Sequence, residues 1–454
     1  MIHVAGTNGK GSVCGTHVFN AAPVLSWALL PSSRLRLRST DKSCVAEMIA
    51  STLRASGKRV GVYNSPHLLH WSEAVLINGA PDIDGWRGSM HAIQAALGDV
   101  EGVCGRYTAF EASCAAMWLQ LARARVDYAV VEAGVGGLRD ATNVCDSVSA
   151  AALTTVGLDH QDLLGNTIAE IAHDKCGIFK PGCPAVVSAL LHHEALPVVT
   201  SAAQRLQCPL TLAPAAEPVG GSGGGKGQFV WDDGEGKGAG QGGQAGEGLR
   251  FSLGLLGSWQ GANSGVALAV IRALQRSDAS INDAHITQGM ARAQWPGRME
   301  QAAWGGQDLL LDGAHNCEAA RALSAHVDDA RRMAVRRSRE SGLGGASADV
   351  RVRWIVGMSA GKDVEGVVRA LVRAGDEIEC VGVESLPRRH QAAPPSRIRA
   401  AAEAAGVSRA TEHECLSHAL ERACQEGDGV VLRVLCGSLH LVADFRQLLA
   451  ARNL

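Results

Sequence analysis

The chain has 454 residues, 46% hydrophobic, 19% charged and 4% aromatic, with a formal net charge of −2. That length exceeds one ordinary core. The charge supplies neither a basic field for nucleic acid nor a polybasic membrane patch, and no apolar run approaches the roughly 20 residues of a membrane span. The 13 cysteines are odd in number and scattered without a CxxC pair, which reads as reduced core thiols rather than a disulfide framework or zinc site. The chain as given starts on a strand without a targeting peptide, and the expected compartment, reducing on its cysteine usage, is cytoplasmic or mitochondrial.

An apolar strand, Ile2 to Ala5, runs into Gly6-Thr7-Asn8-Gly9-Lys10-Gly11-Ser12. Such a glycine-rich turn lets backbone N–H groups converge on an anion. Lys10 adds a point charge for a polyphosphate, and Ser12 a hydroxyl for Mg²⁺. The spacing departs from G-x-x-x-x-G-K-[ST], because Ala5 stands four residues before Gly9 and Gly11 separates Lys10 from Ser12. The alternative is a glycine-rich surface turn. Cys14 to Cys44 then fits nothing around it, carrying Pro23, Pro31, a short apolar run and Arg34, Arg36 and Arg38. A phosphate loop normally feeds its helix at once, so 14–44 reads as an insertion of translated-intron character. The helix resumes as an amphipathic stretch, Val45 to Ser56, stopped by Gly57.

A strand from Arg59 to Tyr63 ends in Asn64-Ser65-Pro66-His67-Leu68, and a helix is expected over Phe110 to Ala124. Val126 to Val131 is continuously apolar, as in a buried parallel sheet, and leads to Glu132 and Gly134-Val135-Gly136-Gly137. Ser149 to Val156 forms another strand, ending at Gly157-Leu158-Asp159-His160, and a helix from Thr167 carries Lys175. Strands alternating with helices predict a doubly wound α/β domain with polar residues past the strand ends, where such sheets bind ligands. The glycine-rich stretch 213–248 is expected to be a disordered loop. Gly257-Ser258-Trp259-Gln260 opens a helix containing Asn263, and Trp295-Pro296-Gly297-Arg298 reads as a connector. A second, smaller α/β domain follows, with strands at Leu309–Leu311 and near 352–356, 378–383 and 430–435, and with Arg336 to Ala348 as a surface loop. The expected domains are 1–294 and 295–454.

Glu132 and His160 at successive strand ends, beside a phosphate loop, suit Mg²⁺ ligation. Taken singly, His160 reads equally as a hydrogen-bonded buried histidine and Lys175 as a helix-surface salt bridge. Glu132 is harder to explain away, because a carboxylate ending an apolar strand is costly unless paired. Asp140 and Asn143 could be turn residues, and Asp312 a helix cap.

Together these stretches resemble the folylpolyglutamate synthase and dihydrofolate synthase family of the Mur ligase superfamily. The carrying motifs are HVAGTNGKGSV, SPHL (65–68), TAFE (108–111), VVEAGVGGLRDATNV (130–144), the stretch Leu153 to Gly182, WPGRME, LLLDGAHN, GMSAGKD and GSLHL. The resemblance implies a P-loop-type ATP-binding domain, then a Rossmann-like ligase domain. It implies an ATP-dependent acid–amino-acid ligase, acting through an acyl phosphate on dihydropteroate, on folate polyglutamates, or on both. By matching position it implies ATP contacts from Thr7, Asn8, Gly9, Lys10, Gly11, Ser12, Asn263, Arg298, Asp312 and His315. It implies Mg²⁺ ligands at two sites from Ser12, Ser65, Glu132, His160 and a carbamylated Lys175, with K⁺ as a further candidate ion. Thr108, Phe110, Glu111, Asp140 and Ala141 match the pterin side, and Lys10, His160 and Lys175 match the catalytic positions. The implied partners are ATP, L-glutamate and a pteroate or folate, with a monomeric chain and neither nucleic acid nor membrane. Departures stand at Ala74, Trp259 and Arg139, and the family's helix before the phosphate loop is missing. The weighed alternatives are a catalytically impaired or mis-spliced relative and a cell-wall Mur-type peptide ligase.

Overall fold

The structure is a computed structural model, and it describes residues 1–6, 42–64, 71–98, 107–219, 227–232, 248–257, 259–340, 350–386, 391–425 and 430–452. Contacts divide the chain into two compact units, one running to Gln294 and the other from Trp295, with Leu255–Ser258 grouped with the second.

The first unit opens with β1 (Ile2–Ala5), α1 (Lys42–Ala55), β2 (Val60–Tyr63), β3 (Val75–Ile77) and β4 (Ala80–Pro81). It continues through α2 (Ile83–Gly98), α3 (Ala109–Arg123), β5 (Tyr128–Glu132), β6 (Ala150–Leu153), α4 (Gln161–Leu164) and α5 (Ile168–Lys175). Then come β7 (Ala185–Ser188), α6 (Leu196–Arg205), β8 (Leu210–Ala213), β9 (Glu217–Pro218), β10 (Gln228–Trp231), β11 (Leu249–Ser252), α7 (Gln260–Gln275) and α8 (Asp283–Arg292). Among the described residues the main sheet runs β4-β3-β2-β5-β1-β6-β7-β8. It is parallel from β2 to β8; β3 pairs antiparallel with β2, and β4 antiparallel with β3. β1, β2, β6 and β7 are buried along their whole length, as the uninterrupted apolar runs require in a sheet covered on both faces. The α/β expectation holds.

α1 is buried from Lys42 to Leu53, which fits a helix enclosed on all sides rather than one with a solvent face. Gly289 of α8 lets the two helices touch: a β-carbon there would lie 2.3 Å from the Thr52 Cα. The helix begins three residues before Val45 and takes in Lys42, Ser43 and Cys44, the last residues of the stretch read as an insertion. Their side chains have partners in the sheet, described below.

The glycine-rich stretch also departs from expectation. β9 and β10 lie inside 213–248 and join β11 in an antiparallel sheet. Trp231 is buried there, its indole Nε1–H donating to Pro214 O at 3.0 Å. The few apolar residues between the glycines (Phe229, Val230, Trp231) are what this small sheet uses, with Phe229 stacked on Phe251.

The second unit holds β12 (Glu300–Trp304), β13 (Gln307–Leu311), α9 (Cys317–Glu340), β14 (Val350–Val356), α10 (Val364–Leu371), β15 (Glu377–Cys380), α11 (Pro395–Ala404), β16 (Arg409–Glu412), α12 (Leu416–Cys424), β17 (Val430–Cys436) and α13 (Leu439–Arg452). Its sheet runs β12-β13-β17-β14-β15-β16. Gly305 and Gly306 close the β12–β13 hairpin with φ of +57° and +79°, a turn whose two central residues both need the left-handed region. α9 reaches Glu340, so 336–340 are helical rather than the start of a surface loop. No helix among the described residues is long and apolar enough to cross a membrane.

Candidate active site

The carboxyl ends of β5, β1 and β6 lie level at the centre of the main sheet, with Val4 paired to Glu132 and Ala5 to Leu153. In an open parallel sheet this edge is where ligands bind. The cleft found there is lined by Gly6, Lys42, Gly134, Val135, Gly136, Asp159, His160, Leu164 and Lys175.

Glu132 ends β5 and is fully buried. Its carboxylate lies 3.0 Å from Lys42 Nζ and accepts the Ser43 hydroxyl at 2.7 Å. The Lys42 ammonium also donates to Ala133 O, and to Gly134 O at 3.1 Å. These bonds tie the first turn of α1 to the end of β5 and answer the desolvation cost expected of a carboxylate there.

The loop after β5 is fixed by its own polar residues. Asp140 accepts the Val135 N–H at 2.8 Å through one oxygen and the Thr142 N–H at 3.0 Å through the other, with the Thr142 hydroxyl donating to it as well. Thr142 Oγ1 in turn lies 2.9 Å from Nε2 of the fully buried His3. Burial pushes the His3 imidazole down to about 4, against the opposing charge of Asp140. Asn143 donates to Leu138 O and Gly177 O. The turn reading of Asp140 and Asn143 thus describes their contacts.

α5 presents Lys175 from its last turn, with Thr167 and Glu170 forming the capping box at its start. Lys175 is buried and donates to Gly6 O at 3.0 Å, so it is no helix-surface salt bridge. Burial, and next the nearby Lys42 charge, push its amine down to about 7. Its neighbour Asp174 is pushed up to about 7 by burial while accepting the Leu138 N–H at 2.8 Å. Gly137 makes this seam possible, because a β-carbon there would lie 2.8 Å from the carbonyl oxygens of both Asp174 and Lys175. His160 stands half-buried at the start of α4 with φ +50°, its N–H bonded to Asp159 Oδ1 at 2.9 Å. It lines the cleft rather than the core.

Thr108 and Glu111 form the capping box of α3, and Phe110 lays its ring on the loop: a β-carbon on Gly134 would lie 2.4 Å from Phe110 Cζ. The structure thus brings Phe110, Asp140 and the Gly134 loop together. Asn263, fully buried in the first turn of α7, donates to Gln260 Oε1 at 2.7 Å. Gln260 Nε2 lies 3.6 Å from Cys44 Sγ, so the first turns of α7 and α1 adjoin.

In the second unit Asp312 is buried and accepts the Met299 N–H at 3.0 Å and the Ala314 N–H at 2.8 Å. It braces two turns rather than capping α9. His315 Nδ1 lies 2.8 Å from Gly313 O, and a β-carbon on Gly313 would sit 3.0 Å from Arg298 Nη1. Arg298, Asp312 and His315 therefore cluster at the end of β13. Thr7, Asn8, Gly9, Lys10, Gly11, Ser12 and Ser65 lie outside the described residues.

Among the described residues no three His, Cys, Asp or Glu side chains group closely enough to hold a metal by themselves. Sequence reasoning missed Lys42, Ser43, His3 and Asp174. Lys42-Ser43 carried a legible signal, a lysine and hydroxyl directly before the stretch read as a helix. His3 carried none, because its partner Thr142 is distant in sequence.

The family profile described as "Dihydrofolate synthetase, C-terminal domain" matches residues 299–448. A probable dihydrofolate synthetase of Schizosaccharomyces pombe is 28% identical over 99% of this chain and 93% of its own length. A dihydrofolate synthase/folylpolyglutamate synthase of Bacillus subtilis is 31% identical over 70% of this chain, which spans 64% of that relative's length. The crystal structure of a bifunctional folylpolyglutamate synthase/dihydrofolate synthase from Yersinia pestis, complexed with AMPPNP and Mn ion, superposes with a TM-score of 0.66. It is 27% identical and covers 100% of this chain and 88% of that one.

Proposed function

Because the chain belongs to the folylpolyglutamate synthase and dihydrofolate synthase family, we propose that it uses ATP to join L-glutamate to the carboxylate of a pteroate or folate. The observation that carries this reading is the convergence of Lys42, His160, Lys175 and the Gly6 and Gly134–Gly136 backbone in one cleft at the carboxyl ends of β5, β1 and β6. In the proposed reaction the acceptor carboxylate attacks the γ-phosphorus of ATP, ADP leaves, and an acyl phosphate forms. The glutamate amine attacks the acyl carbon, loses a proton, and expels inorganic phosphate to leave an amide. The glycine-rich backbone gives phosphate oxygens close approach, and cationic side chains offset the charge of the phosphoryl group in transfer.

The donor chemistry fits a hard divalent cation. Glu132 holds its carboxylate at the end of β5 behind Lys42, which lines the cleft, and His160 lines that cleft from the start of α4. A sparse donor set suits Mg²⁺, which takes one or two carboxylates together with substrate phosphates rather than an all-protein cage. When bound, such an ion would neutralise phosphate charge and polarise the phosphoryl oxygens. Lys175 is read as a carbamate. Its buried amine shares the cleft with the Lys42 ammonium, and conversion to an anion turns that repulsion into attraction. We assign Phe110 and Asp140 to the pterin side, through the loop at Gly134, and Asn263, Arg298, Asp312 and His315 to ATP. We further propose domains divided at 294/295 and a monomer in a reducing compartment. Purified chain given ATP, Mg²⁺ and L-glutamate should release phosphate when either dihydropteroate or tetrahydrofolate monoglutamate is added. Release with neither acceptor overturns the reading.

A further inference from the structure

His3, Thr142 and Asp140 form a line of hydrogen bonds from the core of β1 to the loop after β5. The Thr142 N–H and hydroxyl both donate to Asp140 Oδ1, and the Val135 N–H donates to Oδ2 at 2.8 Å. His3 Nε2 lies 2.9 Å from Thr142 Oγ1, and both side chains are fully buried. We propose that Thr142 and His3 are positioning residues for the acceptor's heterocycle, aiming an open acceptor position of Asp140 at a ring N–H. This rests on the pterin-side reading of Phe110 and Asp140 above and names the residues that set it.

A hydroxyl has one proton to donate, and a carboxylate only accepts. The Thr142 proton therefore goes to Asp140, and His3 supplies the proton between Nε2 and Thr142 Oγ1. That assigns the imidazole as its neutral Nε2–H tautomer. Its bare Nδ1 has no hydrogen-bond partner among the described residues, whereas a proton there would be a buried donor without an acceptor. A carboxylate has about four acceptor positions. Thr142 fills both on Oδ1, and Val135 fills one on Oδ2. Among the described residues that leaves one position, on Oδ2. Oδ2 stands 3.1 Å, and Phe110 Cζ 2.4 Å, from where a Gly134 β-carbon would lie. The open position thus lies beside an aromatic ring over a glycine, a place for a flat heterocycle with an N–H on its edge. The terminal torsion of an aspartate is broad when nothing holds it. Bonds to both oxygens stop that rotation and fix the direction of the remaining acceptor.

The test measures binding of dihydropteroate and of tetrahydrofolate monoglutamate to the whole chain by calorimetry, with Mg²⁺–ATP binding as the parallel readout. Asp140→Asn should weaken acceptor binding roughly ten- to a hundredfold, the loss expected for one charge-assisted hydrogen bond. Thr142→Val keeps the side-chain shape without the hydroxyl and should weaken it roughly tenfold. Thr142→Ser keeps the hydroxyl and should recover most of that loss. His3→Gln keeps an N–H near the Nε2 position and should bind the acceptor better than His3→Leu. Mg²⁺–ATP affinity should stay at the wild-type value throughout, which a general loosening of the fold would not allow. In the Asp140→Asn background, Thr142→Val should add no further loss, because it acts through Asp140. Circular dichroism confirms that each variant is folded. A folded Thr142→Val protein with wild-type acceptor affinity, or fully additive losses in the double variant, overturns the proposal and leaves the pterin-side reading standing. Should Thr142→Val fail to fold, equal acceptor affinity of His3→Gln and His3→Leu overturns it. Wild-type acceptor affinity in Asp140→Asn, or binding of neither acceptor by the wild-type chain, overturns both.

Discussion

Lys42 Nζ lies 3.0 Å from Glu132 Oε1, with the two side chains 6% and 0% exposed. This ion pair fixes the first turn of α1 against the end of β5. Removing one partner strands a buried charge, so Glu132→Gln and Lys42→Met should each cost about 3 kcal/mol of stability. The double variant, with neither charge, should lose less than the sum. Urea unfolding of the four proteins measures this, and strictly additive losses would disprove the pairing.

The loop beside the cleft depends on Gly137, where a β-carbon would press on two backbone carbonyls that cannot yield separately. Gly137→Ala should cost about 2 kcal/mol through overpacking and lower ligase turnover by shifting Lys175. Gly182, with φ +71° and nothing within 4 Å of an added β-carbon, serves as control. Gly182→Ala should cost about 1 kcal/mol through backbone strain alone, with turnover per folded molecule unchanged. Equal turnover in both variants would count against the seam between loop and α5.

His3 ties stability to pH. Its imidazole is fully buried and pushed down to about 4 from an ordinary 6.5. The folded chain therefore holds it neutral while the unfolded chain protonates it near 6.5. Its contribution is complete above pH 6.5 and is lost as pH falls from 6.5 towards 4, by up to about 3 kcal/mol. His3→Gln should flatten the stability curve over that window relative to wild type. Parallel curves for the two proteins would show that His3 is not the titrating group.

Trp231 holds the small sheet inside the glycine-rich stretch. Trp231→Ala should release about 3 kcal/mol of local packing and open residues near β9–β11 to limited proteolysis, while Trp231→Phe loses mainly the bond to Pro214. Cleavage that is equally fast in wild type would refute an ordered sheet there.

Much of this was legible in the sequence. The continuous apolar runs before Gly6, Glu132 and His160 set three adjacent parallel strands, and the polar residues after them became one cleft. Period and composition alone mark such elements. Order in the glycine-rich stretch was hidden because the short run Phe229-Val230-Trp231 among many glycines gives no periodicity, and one of its two partner strands, β11, lies beyond the stretch. The contact of Lys42 and Ser43 with Glu132 was hidden because the segment ending at Cys44 was set aside whole. Partnerships such as His3 with Thr142, or Asp174 with the Leu138 N–H, depend on tertiary packing that no local pattern encodes.

The central claim is glutamate ligation through an acyl phosphate, and the most direct measurement is product analysis of a single reaction. The chain is given ATP, Mg²⁺, L-glutamate and an accepted pteroate or folate, and nucleotide and pterin products are resolved by mass spectrometry. The account predicts ADP, phosphate and a pterin product heavier by one glutamyl residue, in equal amounts and only when glutamate is present. Formation of AMP and pyrophosphate, or ADP without a glutamylated product, would contradict it.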